Sequence, residues 1–176
     1  LVNSYKLTQK HKVLLSGYYE RIFWKNYNNR SSRKSIARQM ARLKDQELKE
    51  IIIGVSKHLT LSNKMDDLLD SPIQIGESFD PQKFNDQLSK RIASFVALVE
   101  GQTQLLEIGN PQLSLFVYDE LAKALFSLSN EVASYSPKRA PKQLKQEFEK
   151  QMKIVSKTFL DQAYANIDAG ESFMYK

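Results

Sequence analysis

The sequence predicts an all-α protein of five to six antiparallel amphipathic helices, packed as an irregular bundle or a short solenoid. Three observations point there. Apolar residues recur at steps of three and four along most of the chain, the spacing of one helix face. Gly (6) and Pro (5) are scarce among 176 residues, too few for the tight turns of an all-β fold. Three prolines, Pro81, Pro111 and Pro141, each open an apolar-periodic stretch, where a helix has no use for the missing N–H. With 41% hydrophobic and 26% charged residues the chain has the composition of a globular domain with a sizeable core.

In chain order, the first expected helix runs from about Thr8 to Tyr27, with Val13, Leu14, Tyr18, Ile22 and Phe23 at helical spacing. The next spans about Asn29 to His58 as one long helix, its apolar side made by Ile36, Met40, Leu43, Leu48, Ile51, Ile52, Val55 and Leu59. The β-branched run Ile51–Val55 around Gly54 makes a short strand the rival there, although a lone strand has nothing to pair with. A shorter helix covers about Ser62 to Leu69. The loop Asp70–Asp80, with Ser71-Pro72 and Gly76, follows as a candidate hinge between a basic part (residues 1–70) and three long helices (residues 80–176).

Asp80 caps the third long stretch, Pro81 to about Ile108, faced by Phe84, Leu88, Ile92, Phe95 and Val99. Gly109 ends it, and Asn110 with Pro111 opens the next, to about Tyr135, whose stripe is Leu115, Tyr118, Leu121, Leu125, Leu128 and Val132. The last runs from Pro141 to about Asp168 on Leu144, Phe148, Met152, Val155, Phe159, Ala163 and Ile167, with Gly170 read as following its end. The three prolines stand 30 residues apart, a spacing that similar helix lengths explain as well as an internal repeat does.

Charge is divided along the chain. The first 44 residues hold eleven Lys and Arg against one acid, Glu20, a net of +10; the rest holds fifteen basic and nineteen acidic residues, a net of −4. Within the basic part, Arg30, Lys34, Arg38 and Arg42 stand four apart and share a helix face opposite Ile36, Met40 and Leu43, while Arg33 falls nearer the apolar edge. Tyr18, Tyr19, Phe23, Trp24 and Tyr27 lie just upstream. Three readings stand side by side: a solvated basic face with core aromatics, a docking surface for an acidic protein or neighbouring domain with Trp24 as an anchor, and a surface for nucleic acid or anionic lipid. The candidate binding residues are therefore Trp24, Arg30, Arg33, Lys34, Arg38 and Arg42.

Other chemistry finds little footing. The absence of Cys rules out disulfides and thiolate sites. The two histidines, His11 and His58, have no partner at ligand spacing and read as solvated surface. Asp66, Asp67 and Asp70, Asp119 with Glu120, and Glu147 with Glu149 read as helix-surface charge, since a hard cation needs about six oxygen ligands. No GxSxG, GxxxxGK[ST] or GxGxxG occurs, and no metal or cofactor is expected. The longest apolar runs, such as Phe95–Val99, are too short to span a membrane. The polar opening at Leu1 suggests a piece of a longer protein.

Three stretches carry a resemblance: Phe84–Ile108 with its Gly109-Asn110-Pro111 turn, Leu113–Tyr135 with Ser136-Pro137 and Pro141, and Leu144–Ile167 with Gln162-Ala163-Tyr164. Over Asp80 to Phe173 the chain resembles bacterial tetratricopeptide-like scaffold proteins, particularly long envelope and motility proteins of predatory and gliding bacteria. The resemblance implies a degenerate or terminal repeat, a non-enzymatic protein-binding scaffold within a larger bacterial protein, and an envelope or periplasmic setting. Nucleic-acid binding through the Arg30–Arg42 face is the alternative.

Overall fold

The computed structural model describes residues 14, 17, 18, 21, 25, 29–42, 53–75, 79–108 and 111–174. The described residues are all-α. Helices α1 (Arg30–Ala41), α2 (Ile53–Leu69), α3 (Pro81–Thr103, tightened into a 3₁₀ turn at Gln104–Ile108), α4 (Pro111–Ser134) and α5 (Lys142–Met174) follow one another with no strand among them. No described helix is long and apolar enough to cross a membrane. The chain divides into two compact units, Leu1–Lys64 and Met65–Lys176.

In the first unit, Leu14, Gly17, Tyr18, Arg21 and Lys25 are helical, as the spacing predicts, but Leu14 and Tyr18 are 61% and 57% exposed rather than core. The long helix expected from Asn29 to His58 is not continuous. Asn29 caps α1, its side chain accepting from the Ser32 N–H at 2.9 Å, and α1 closes at Arg42, whose N–H turns back to the Gln39 carbonyl at 3.1 Å. Residues 43–52, with Leu43, Leu48, Ile51 and Ile52, lie outside the described residues, as do Trp24 and His11. Ile53–Val55, the described part of the strand alternative, is helical.

The helix expected to begin at Ser62 instead runs unbroken from Ile53. Ser62 is buried in its interior, and the Thr60 hydroxyl is absorbed by the Ser56 carbonyl one turn back. This start places Val55, His58, Leu59 and Ser62 on one face, and all four are buried. His58 is thus fully buried, not solvated.

The second unit is an up-down-up arrangement of α3, α4 and α5. Arg91 meets Glu131, and Phe84 meets Tyr135, so α3 and α4 are antiparallel. Ser129 meets Ser156 and Phe126 meets Tyr164, so α4 and α5 are antiparallel too. Asp80 caps α3 as expected, accepting from the Lys83 N–H at 3.1 Å. The expected cap Asn110 lies outside the described residues.

The predicted stripes supply the core: Phe84, Leu88 and Phe95 of α3, Leu121, Leu125, Leu128 and Val132 of α4, and Phe148, Met152, Phe159 and Ala163 of α5. Each fully buried Leu or Phe contributes about 1.5–3 kcal/mol. α4 is the central element, burying Leu113, Val117, Ala122 and Ala124 as well, off its predicted stripe. α5 is about 50 Å long at 1.5 Å per residue and outreaches α4. Its first turns bring Phe148 to 5.1 Å from both Phe79 and Phe84, closing an aromatic cluster with Tyr135. The outer members of its predicted stripe, Leu144 and Ile167, are 46% and 36% exposed.

Gly170 does not follow α5 but sits buried within it, four residues before its end at Met174. A Cβ built there would meet Tyr118 Cβ at 3.3 Å. The glycine marks where α5 comes closest to α4, not where α5 stops.

Candidate functional site

Two surfaces and one buried cluster bring functional groups together. On α1 the candidate cations do not share one environment. Arg33 is buried, as its place near the apolar edge foreshadows, Arg30 and Lys34 are half-buried, and Arg38 and Arg42 are exposed. Ile36 and Met40 are buried on the other side. Arg38 lies in the last turn, where its charge suits the carbonyl end of the helix. Upstream, Leu14, Tyr18, Arg21 and Lys25 are exposed at spacings of four, three and four, which places them along one side of a helix.

The second surface is a groove of about 340 Å³ between α4 and α5. Leu115, Tyr118, Ala122 and Phe126 form its α4 wall, and Ile167, Gly170 and Met174 its α5 wall. Phe126 stacks edge-on against Tyr164 at 5.4 Å, and Tyr118 lies 6.4 Å from the ring of Phe173. Charges sit along the edges. On the α4 side Lys123 donates to Asp119 at 2.6 Å, and on the α5 side stand Asn166 and the exposed Glu171. Such a trough can hold apolar side chains along its length while charges at its edges select what flanks them. The sequence treats Tyr118 and Ile167 as core. The available signal was Gly170 inside a helical pattern, with Tyr164 and Met174 as surplus apolar residues beyond the stripe. A smaller, more polar hollow of about 240 Å³ lies between Gln74–Ile75 and the start of α3 at Lys83 and Gln87.

The buried cluster joins α3, α4, the last turn of α2 and the segment that follows it. Arg91 donates to the carbonyls of Leu68 and Ser71, both at 2.9 Å, and to Glu131 Oε2 at 2.5 Å. The Tyr135 hydroxyl donates to Glu131 Oε1 and accepts from the Ile73 N–H at 3.3 Å. Burial, followed by the hydrogen bond to Glu131 and that residue's charge, raises the Tyr135 phenol well above its ordinary value. The groups bond chiefly to one another and to backbone, so the cluster is a clasp that fastens Leu68–Ile73 onto the bundle. The loop proposed as a hinge is tied down at this end.

Among the described residues no group of three or more His, Asp or Glu is placed to hold a metal ion. Asp66 is half-buried and Asp67 and Asp70 are exposed. Asp119 and Glu149 make ordinary helix-surface pairs with Lys123 and Lys145, and Glu149 also accepts from the Ser136 hydroxyl at 2.7 Å. Glu120, by contrast, is buried.

No protein-family model, no curated protein and no solved structure matches this chain.

Proposed function

We propose that the chain is a non-enzymatic protein–protein interaction domain, a scaffold or adaptor module of a larger bacterial protein. The observation that carries this reading is the apolar α4–α5 groove, a concave surface with charged edges on two regular helices. A rigid helical wall presenting aromatic and aliphatic groups suits recognition of another polypeptide. The exposed Arg38 and Arg42 offer a second contact surface, suited to an acidic partner or neighbouring domain.

Selection from a displayed library of random peptides tests the reading. Enriched peptides should lose binding to the double variant Ile167→Gln, Met174→Gln, whose sites are exposed enough to leave the fold intact. Failure to enrich any peptide, or enrichment indifferent to that variant, refutes the groove as the site.

The nucleic-acid alternative rests on the same exposed Arg38 and Arg42, with Arg21 and Lys25. It requires oligonucleotide binding that weakens steeply with salt and falls in Arg38→Glu, Arg42→Glu. Absence of binding at low salt eliminates it.

A further inference from the structure

We propose that the α4–α5 groove receives a basic amphipathic helix of a partner protein, an inference that rests on the interaction reading above and names the partner's chemistry. The groove's α4 wall runs from Leu115 to Phe126, about 17 Å or three helical turns at 1.5 Å per residue. That length matches a helix presenting apolar side chains at positions i, i+4 and i+7. The trough is open along its length, and its polar groups stand on its two edges. A small-molecule site instead gathers a few polar groups around an enclosed ligand.

The edges decide the sign of the partner. Lys123 is engaged by Asp119, so the α4 edge is close to neutral, while Glu171 leaves the α5 edge negative. A helix flanking its apolar stripe with Lys or Arg gains from this local edge charge, and an acidic one is repelled.

Three fluorescein-labelled helical peptides with one Leu stripe, flanked by Lys, Glu or Gln, provide the probe. Anisotropy titration at about 50 mM salt should rank Lys above Gln above Glu, with roughly a tenfold span between the extremes. Ile167→Gln with Met174→Gln should weaken all three, and Asp119→Lys with Glu171→Lys should invert the order.

Binding that depends on Ile167 and Met174 but ignores flank charge overturns the basic-partner inference and leaves the interaction reading intact. A Lys preference that survives the edge reversal also overturns it. Binding indifferent to the groove variants overturns both. Sedimentation of the unliganded chain completes the test: a dimer that Ile167→Gln, Met174→Gln dissolves would make a second copy the occupant and overturn the partner helix.

Discussion

Replacing Arg91 by Met tests the clasp most directly. The side chain of Arg91 is 6% exposed and that of Glu131 12%, so the ion pair is shielded from water. Met fills much of the same volume but leaves the Glu131 carboxylate with Tyr135 as its only remaining partner among the bonds described, and it strips a donor from the Leu68 and Ser71 carbonyls. Leu68 retains the Ser71 N–H at 3.2 Å; Ser71 loses its described partner.

Breaking a buried pair on one side costs about 3–5 kcal/mol, and an orphaned carbonyl adds about 1–3 kcal/mol if water cannot reach it. Ser71 is exposed, so its carbonyl should rehydrate, and the expected loss is about 4 kcal/mol. Urea unfolding followed by circular dichroism at neutral pH measures it, with an unchanged m-value confirming that the same transition is compared. The double variant Arg91→Met, Glu131→Leu should cost at least about 2 kcal/mol less than the sum of the singles, because removing both charges relieves the orphaned one. The loss should hardly change in high salt, since buried pairs are weakly screened. A loss below about 1 kcal/mol, or additivity in the double variant, would refute the clasp as a buried, mutually satisfied network.

Three further outcomes follow from neighbouring contacts. The folded state holds the Tyr135 phenol above its ordinary value of 10.0, so this contribution to stability is complete below pH 10 and is lost as pH rises above it; from there stability should fall by about 1.4 kcal/mol per pH unit more steeply in the native chain than in Tyr135→Phe, as alkaline urea titrations would show. Gly170→Ala should forgo the roughly 1 kcal/mol that the exchange brings in an open helix and instead destabilise by about 1 kcal/mol, because its Cβ meets Tyr118 Cβ, an atom fixed to the α4 backbone; a raised melting temperature would show that α5 can move aside freely. The Ser129 hydroxyl donates to the Ser156 carbonyl at 3.0 Å and lies 2.9 Å from its hydroxyl, so Ser129→Ala should cost about 1–2 kcal/mol, and adding Ser156→Ala should add less than that change costs alone; a strictly additive cycle would mean the two hydroxyls are not coupled.

The three long helices were legible because local signals agreed. Asp80 before Pro81, and Pro111 and Pro141 near the starts of their helices, marked the openings, and the period of three and four named Phe84, Phe95, Leu125 and Phe159 as core. Where local signals conflicted, the ends moved. Ser62 stands at an expected helix start and Gly170 just past an expected end, but each is a small buried residue inside a helix. His58, read as solvated because no ligand partner stands near it in sequence, is buried on the face that the unbroken helix presents.

The clasp was illegible for another reason. Arg91 and Glu131 stand 40 residues apart, and nothing local announces their meeting. The groove was hidden because Tyr118 and Ile167 obey the core period as well as any core residue; only the arrangement of α4 against α5 leaves them facing open space. For the basic face, periodicity gave the sides of α1 correctly, but degree of exposure depends on what lies over each side, and that separated Arg33 from Arg38 and Arg42.

The serine pair and Gly170 together fix the register of α5 along α4. A slip of one turn, about 5.4 Å, would face the Ser129 and Ser156 hydroxyls with apolar neighbours and press a larger side chain against Tyr118, where even a Cβ is tight. One key is polar and the other steric, and they sit at different heights on the same pair of helices. Two amphipathic helices held by apolar contact alone can slide among near-equivalent alignments, each with a differently shaped trough. Locked at two points, this pair presents a single trough, and a surface with one shape can tell partners apart.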